Sequence, residues 1–245
     1  MNRTCFSEKL LVKNLVFILL FNAVALSSTA FSETMVCQRE GGNTALIVMD
    51  MQPGFITRGG SANLPENKTK VAQIIAEQLD AIESAKKAKI PIIFLEYEGK
   101  RGPTNPVLRK ATSGYRQVRY FKKDTDGMFD NDNRYKNKLV RYLKSKRISA
   151  LVMTGANGGG CVLSSIEGAL DSNCTVFAYT KGIADFNYRD FIYPYVGYYK
   201  YVRANCKDCV FQEISNRSDV ASVMVQNSIR VSEPTTVEDS TGVAE

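Results

Sequence analysis

The chain of 245 residues is 44% hydrophobic and 23% charged, an ordinary globular composition with enough apolar material for one sizeable core. It contains no histidine, which excludes a Ser–His or Cys–His catalytic couple and any histidine-ligated zinc or iron site. The formal charge of +7 is spread along the chain without a dense Lys/Arg block. This pattern argues against nucleic-acid binding and favours a solvated surface.

The first 30 residues have the pattern of a signal peptide. Basic residues precede the apolar run LVFILLFNAVAL (15–26), and the small residues 28–30 follow it as a cleavage site. The run is shorter than the roughly 20 residues that span a bilayer. We therefore expect an exported protein, periplasmic or secreted, without stable membrane insertion once the leader is cleaved. An uncleaved anchor is the alternative.

After an N-terminal extension (31–44), apolar strands alternate with amphipathic helices. The predicted strands cover 45–50, 91–97, 116–121, 148–154, 174–179 and 210–214. The predicted helices cover about 67–87, the segment around Leu139–Leu143, and the segment that begins at Val162 directly after a run of glycines.

This alternation is typical of the α/β class. We predict a single three-layer α/β/α, Rossmann-like domain over residues 45–228, with a mainly parallel sheet. Residues 229–245 are polar and lack a helical or strand period, which predicts a disordered tail.

Cysteine usage fits an oxidising compartment. Loss of Cys5 with the leader leaves an odd number of cysteines, so one thiol stays unpaired. If Cys161 is that thiol, the other four can form two disulfides in three different pairings; they are Cys37, Cys174, Cys206 and Cys209. The spacing of the last two predicts a structural bridge rather than a redox motif, because no βα context precedes them.

Eight aromatic residues are crowded between Phe186 and Tyr201. This segment indicates an interrupted helix, broken near Pro194 and Gly197, that covers the sheet. The alternatives are a pocket wall or a subunit contact in a homo-oligomer.

Three residues suited to catalysis follow predicted strands. Asp50 closes the first strand, Lys123 follows the third, and Cys161 lies just past the fourth at the start of its helix. Ligands of open α/β sheets bind at the carboxyl ends of the strands, so we expect the three to meet at one edge. Taken singly, each residue has a structural interpretation. Asp50 could be a turn residue, Lys123 a solvated lysine, and Cys161 a small buried hydrophobic residue.

The chemistry of the trio favours a cysteine nucleophile. A thiol at a helix N-terminus beside a lysine is expected to ionise readily, and a carboxylate can accept its proton. Glycines 158–160 allow backbone N–H groups to face a carbonyl oxygen.

The segment DTDGMFDNDN (124–133) looks like a calcium loop. Its sixth and twelfth positions are Phe129 and Tyr135, where an EF-hand requires Gly and Glu. We therefore predict a polar loop beside the site and no metal.

The segments ALIVMDMQPGF and TGANGGGCV, with Lys123 six residues before Phe129, resemble the isochorismatase-like cysteine hydrolase superfamily from about Ala45 to about Asn227. The resemblance implies a Rossmann-like three-layer fold and a catalytic triad of Asp50, Lys123 and Cys161. It also implies a non-proline cis peptide at Ala156–Asn157 and an oxyanion hole formed by the N–H groups of Asn157 and Cys161. The predicted substrate-binding set is completed by Ala156, Gly160, Gln52 and Phe55.

Two features narrow the expected activity. The lack of histidine excludes the zinc-dependent nicotinamidases of this superfamily, and Cys161 argues against isochorismatases proper, which act on a vinyl ether and typically lack the cysteine. We expect an exported cysteine hydrolase that cleaves an amide, ureido or carbamoyl C–N bond of a small molecule through a Cys161 thioester, without a cofactor. An exported binding or effector protein that keeps the fold without turnover is the alternative.

Overall fold

A computed structural model describes residues 35–37, 41–57, 67–184, 202 and 209–229. The elements below all belong to one compact unit that begins at Cys37. The predicted signal peptide and the aromatic segment 186–201 lie outside the described residues, as does the predicted tail apart from Ile229.

Six parallel strands form one sheet in the order β3-β2-β1-β4-β5-β6. Their bounds are β1 (Asn43–Met49), β2 (Ile92–Tyr97), β3 (Val118–Lys123), β4 (Ile148–Ala156), β5 (Thr175–Ala184) and β6 (Phe211–Ile214). The strand order reverses between β1 and β4, which makes their carboxyl ends the switch point where doubly wound folds bind ligands.

Helices cover both faces of the sheet. Their bounds are α1 (Pro53–Ile56), α2 (Asn67–Lys87), α3 (Pro106–Ala111), α4 (Lys136–Ser145), α5 (Leu163–Asp171) and α6 (Arg217–Ile229). The core cluster on one face joins Leu46 and Val48 of β1 to α2, α3 and α6. On the other face Phe121 contacts Tyr142 of α4, with ring centroids 5.4 Å apart. The three-layer α/β/α prediction is confirmed.

Alternation along the strands explains the two layers. Successive strand side chains point to opposite faces, so Val48 packs in the α2 cluster while Met49 meets Ser165 of α5 at 3.5 Å. Both faces of β1 are buried, as expected for a central parallel strand. Burying each such side chain contributes roughly 1.5–3 kcal/mol.

The backbones of β1 and β4 approach closely at the switch point. Gly155 has φ +127°, and a Cβ there would lie 2.2 Å from the carbonyl oxygen of Met49. A glycine is therefore required beside Asp50, on sterics and on backbone conformation.

The ends of three strands differ from the prediction at the edge that carries the site, and β5 runs five residues further than predicted, to Ala184, which pairs with Ala156. Strand β3 covers 118–123 instead of 116–121, so Lys123 is its last residue rather than part of the following loop. Strand β4 runs two residues further than predicted, to Ala156. The end of β3 could not be predicted from an apolar run, because this strand contains several charged residues. It lies at the edge of the sheet, where its side chains are partly exposed.

Three helices were not predicted. Helices α1 and α3 are short and begin at Pro53 and Pro106, and the Asn105 side chain caps α3 by accepting from the Val107 N–H at 2.9 Å. An Asn–Pro pair is a helix-start signal, whereas helices this short have no apolar period by which to predict them. Helix α6 buries Val220 and Met224 against the sheet.

The described cysteines divide as expected for one free thiol. Cys37 and Cys174 form a disulfide, Cys209 is also disulfide-bonded, and Cys161 is the free cysteine among the described residues. Cys206 lies outside them. Because Cys174 directly precedes β5, its disulfide lies at the amino edge of the sheet, opposite the switch point.

Within the described ranges, no helix has the length and apolar character needed to cross a membrane.

Candidate active site

An ion pair joins the carboxyl ends of the central strand β1 and the edge strand β3. Asp50 follows β1 with φ +54°, and its N–H donates to the carbonyl oxygen of Leu95 on β2 at 2.9 Å. Lys123 Nζ lies 2.9 Å from Asp50 Oδ2, and the two side chains are 0% and 1% exposed. The structure therefore brings Asp50 and Lys123 together, and Cys161 is close enough to interact with both.

The Lys123 ammonium is held from several sides. Besides Asp50, it donates to the carbonyl oxygens of Thr125 and Asp126 at 3.1 Å each, and it lies 4.5 Å from the centre of the Tyr97 ring. An ammonium has three donors, so these oxygens satisfy it. The neighbouring Lys122 is exposed, which supports the spacing argument that chose Lys123.

Cys161 lies in a single turn of π-helix, Gly158–Val162, between β4 and α5. The N–H groups of Gly160 and Val162 both donate to the Asn157 carbonyl oxygen, at 3.1 and 3.0 Å. The glycine run itself is therefore helical, rather than a loop before the helix. The peptide bond between Ala156 and Asn157 is cis, as the resemblance implied.

The Cys161 thiol meets a carboxylate that was not predicted. Its Sγ lies 3.6 Å from Oδ1 of Asp126, an exposed side chain in the loop after β3. Cys161 is 8% exposed. The loop 124–133 was predicted to border the site, so its acidic residues were the sequence feature that could have indicated this contact.

The environment makes Cys161 a weak acid. Burial raises the pKa of the thiol to about 12, the charges of Asp50 and Asp126 add to that effect, and Lys123 opposes it. The expectation of a thiolate at rest is therefore wrong. Two carboxylates and the loss of solvent outweigh a single ammonium and a helix end.

The pKa of the Asp50 carboxyl is shifted in the direction that favours accepting a proton. Burial raises the pKa of its carboxyl even though Lys123 acts to lower it. Cys161 interacts with this carboxylate, while the directed hydrogen bond of the thiol goes to Asp126. Oδ1 of Asp50 is buried and accepts no hydrogen bond among the described residues. A raised pKa makes this oxygen a stronger base than an ordinary aspartate.

Lys123 remains charged. Burial alone would lower the pKa of the ammonium, but the Asp50 carboxylate and the thiol outweigh burial and raise it. Lys123 can thus compensate a negative charge on Asp50 or on the Cys161 sulfur.

We predict slow alkylation of resting Cys161. A thiol of pKa about 12 is neutral near pH 7.5. Iodoacetamide should therefore label it at least about a hundredfold more slowly than a free thiol of pKa about 8.5. The rate should climb about tenfold per pH unit until at least about pH 10. Peptide mapping with a Cys161→Ala control measures it, and a plateau near pH 7 would contradict a raised thiol pKa.

The loop that carries Asp126 is anchored to α5. The Met128 N–H donates to Ser165 Oγ at 3.0 Å, and Asn133 Nδ2 donates to the Met128 carbonyl at 3.0 Å. Phe129 is buried, and a Cβ on Gly168 of α5 would lie 2.9 Å from its Cβ. The loop position is therefore determined by packing against the helix that follows Cys161.

The variant Gly168→Ala tests this packing. Alanine gains about 1 kcal/mol of helix propensity, but overpacking typically costs about 1–3 kcal/mol. We expect a net loss of about 1 kcal/mol and a melting temperature lower by about 2–4 °C. Thermal unfolding by circular dichroism measures this change. An unchanged or raised melting temperature would show that Phe129 yields at no cost.

Two residues of the predicted binding set pack against the loops around the site. Gln52 Nε2 donates to the carbonyls of Tyr97 and Gly102 at 3.1 and 2.5 Å, and its Oε1 accepts from the Tyr97 N–H at 2.6 Å. Its amide therefore holds the backbone together in this structure. The Phe55 ring lies 6.1 Å from that of Tyr97 and 4.8 Å from the Arg101 guanidinium.

The remaining members surround the π-helical turn. Ala156 is buried at the end of β4, while Asn157 and Gly160 are half-buried beside Cys161. The oxyanion hole stays a prediction. Within the ranges that the structure describes, no cluster of acidic or cysteine side chains could hold a metal ion.

Solved structures of this architecture include several hydrolases. A cysteine hydrolase from Pseudomonas syringae pv. phaseolicola 1448A is 14% identical, with a TM-score of 0.58 over 80% of this chain and 99% of that one. N-carbamoylsarcosine amidase from Thermoplasma acidophilum is 14% identical, with a TM-score of 0.52 over 70% and 96%. A ribonuclease from Caenorhabditis elegans is 17% identical, with a TM-score of 0.54 over 81% and 95%. These likenesses establish the fold.

No curated protein matches the chain significantly. The model of the isochorismatase domain matches residues 44–191, more than half of the chain, and this range contains Asp50, Lys123 and Cys161. The chain therefore belongs to the isochorismatase family, and it is an isochorismatase-like hydrolase with a cysteine at its candidate active site.

Proposed function

We propose that this protein is an exported cysteine amidohydrolase that cleaves a C–N bond of a small molecule. The observation that carries the proposal is the buried Asp50–Lys123 ion pair beside the free Cys161. Buried charges are costly to keep, and a general base, a cation and a nucleophile at a switch point are a catalytic arrangement.

In the first half of the reaction, Asp50 accepts the Cys161 proton as Sγ attacks the carbonyl carbon of the substrate. The tetrahedral oxygen develops negative charge opposite the N–H groups of Asn157 and Cys161. Collapse breaks the C–N bond, Asp50 gives the proton to the departing nitrogen, and the acyl group remains on sulfur as a thioester.

In the second half, Asp50 takes a proton from water as the water oxygen attacks the thioester carbonyl. The C–S bond breaks, the acid product leaves, and the proton returns from Asp50 to Cys161. Lys123 stays protonated and offsets the negative charge that moves between sulfur and carboxylate. One water is consumed for each C–N bond cleaved.

A protonated thiol at rest suits this scheme. Because the pKa of Cys161 is raised, its sulfur becomes nucleophilic when the proton moves to Asp50 in the bound complex. The raised pKa of the Asp50 carboxyl makes that transfer easier than it would be to an ordinary aspartate.

The choice of a C–N bond rests on the cysteine and on the kinds of enzyme that share the fold. N-carbamoylsarcosine amidase and a nicotinamidase from Staphylococcus aureus have the same architecture, and both are named for the amide-type compounds on which they act. Export is supported by the N-terminal pattern of residues 1–30 and by the Cys37–Cys174 disulfide, since disulfides persist in oxidising compartments.

The test is a panel of amides, ureides and carbamoyl compounds, with ammonia or amine release as the readout. Hydroxylamine added to an active mixture should intercept the thioester and yield a hydroxamate in place of part of the acid. Cys161→Ala should abolish both products. The panel should include cationic, neutral and anionic members.

Two results would overturn the proposal. Turnover that survives in Cys161→Ala would remove the thioester route. Tight binding of a panel member without turnover, equal in wild type and Cys161→Ala, would instead favour a binding or effector protein on this fold.

A further inference from the structure

Asp126 places an exposed carboxylate in contact with the nucleophile. Its carboxylate is exposed, yet Oδ1 lies 3.6 Å from the buried Cys161 Sγ. A group bound at the thiol can therefore also contact this carboxylate. Asp50, in contrast, is buried and paired with Lys123 on the inner side of the site.

Hydrogen bonds of the loop backbone fix the position of Asp126. Its own carbonyl oxygen accepts from Lys123 Nζ at 3.1 Å, so its backbone is tied to the catalytic lysine. The next residue is also constrained, since the Gly127 N–H donates to Asp130 Oδ2 at 2.8 Å and a Cβ there would lie 2.1 Å from Asp130 Oδ1. The loop thus holds one carboxylate beside the sulfur.

No cation of the described residues pairs with the Asp126 carboxylate. Within the described residues its side chain forms no ion pair, and Lys123 contacts its carbonyl oxygen rather than its carboxylate. Lys123 is already matched by Asp50, so among the described residues the Asp126 carboxylate leaves one net negative charge beside the thiol. That charge opposes ionisation, because Asp126 raises the pKa of Cys161 and of Asp50.

We propose that Asp126 is a substrate-recognition residue that selects compounds with a protonated amine or a similar cationic group near the scissile C–N bond. Such a cation pairs with the carboxylate, offsets the negative charge beside the sulfur, and so assists proton transfer from Cys161 to Asp50. An anionic substrate adds to the repulsion and is rejected. This inference rests on the proposed amidohydrolase function, whose substrate class it names.

Charged thiol reagents test the recognition step without a substrate. The cation 2-(trimethylammonium)ethyl methanethiosulfonate and the anion 2-sulfonatoethyl methanethiosulfonate both react with a thiolate, which forms a disulfide and releases methanesulfinate. The ratio of their rates at Cys161 cancels any change in the thiolate fraction. Wild type should favour the cation. Asp126→Asn should lower the ratio of cation to anion rates about tenfold or more, and Asp126→Lys should invert the preference.

The matched control is Asp132→Asn, an exposed aspartate of the same loop, which should leave the ratio within about twofold of wild type. Asp126 is exposed and forms no ion pair with a described residue, so both of its variants are expected to fold, and circular dichroism checks this. A ratio unchanged by Asp126→Asn, or a Cys161 that neither reagent reaches in the native protein, would overturn the inference.

The amide panel separates this inference from the function on which it rests. β-Alaninamide and succinamate place an ammonium and a carboxylate at similar distances from the same amide, and wild type should prefer the ammonium. If turnover is absent but the reagent ratio responds to Asp126, the amidohydrolase proposal fails and charge selection at Cys161 stands. If cationic and anionic amides are cleaved equally well and the ratio does not respond, charge selection fails and the amidohydrolase stands.

Discussion

Replacing Asp50 with asparagine is expected to lower kcat/KM for any amide substrate by about 10³-fold, within the range for loss of a general acid–base group. Asparagine keeps the shape of the side chain but cannot accept the thiol proton. The raised thiol pKa increases this dependence, because Cys161 does not ionise near neutral pH without a base. Activity on the substrate identified in the panel measures the loss.

The pH profile distinguishes a lost base from a damaged fold. In wild type, kcat/KM should rise with pH as the Asp50 carboxyl ionises, and because burial raises its pKa the rise should lie above the usual aspartate range. That acid limb should be absent in Asp50→Asn. The variant should still be labelled at Cys161 by a methanethiosulfonate. A variant that keeps the acid limb and loses less than about tenfold would exclude Asp50 as the base.

The elements of this fold that depend on local pattern were predictable. The period of apolar residues predicted α2 with the observed bounds of 67–87, and continuous apolar runs predicted the buried strands. Because parallel strands place their carboxyl ends at one edge, the meeting of Asp50 with Lys123 and Cys161 also followed from their order along the chain.

The properties that arise from tertiary contacts were not predictable. Lys123 ends a strand of mixed charge, and nothing local shows that it becomes fully buried. Asp126 meets a thiol 35 residues away, in a contact set by how the loop packs on α5. The acidity of Cys161 was predicted with the wrong sign, since the helix end is a local feature while burial and the second carboxylate are not.

Replacing Lys123 with methionine is expected to destabilise the protein by about 3–5 kcal/mol, because the change strands the Asp50 carboxylate in a site that is 1% exposed. Removing one partner of a buried ion pair costs more than the pair itself contributes, since the remaining charge keeps its desolvation penalty. The melting temperature should fall by roughly 10 °C or more. Chemical denaturation measures the change in unfolding free energy. The matched control is Lys122→Met at the exposed neighbouring position, where we expect less than about 0.5 kcal/mol.

The double variant Asp50→Asn/Lys123→Met separates the charge from the packing. With both charges removed, most of the lost stability should return, to within about 1–2 kcal/mol of wild type, whereas activity should stay as low as in Asp50→Asn alone. If the stability loss of the double variant equals the sum of the losses in Asp50→Asn and Lys123→Met, the two charges are not coupled, contrary to the 2.9 Å contact between them. Recovery of stability without activity would mean that the fold tolerates an apolar pair here, so that the ionic pair is kept for proton transfer at Cys161 rather than for folding.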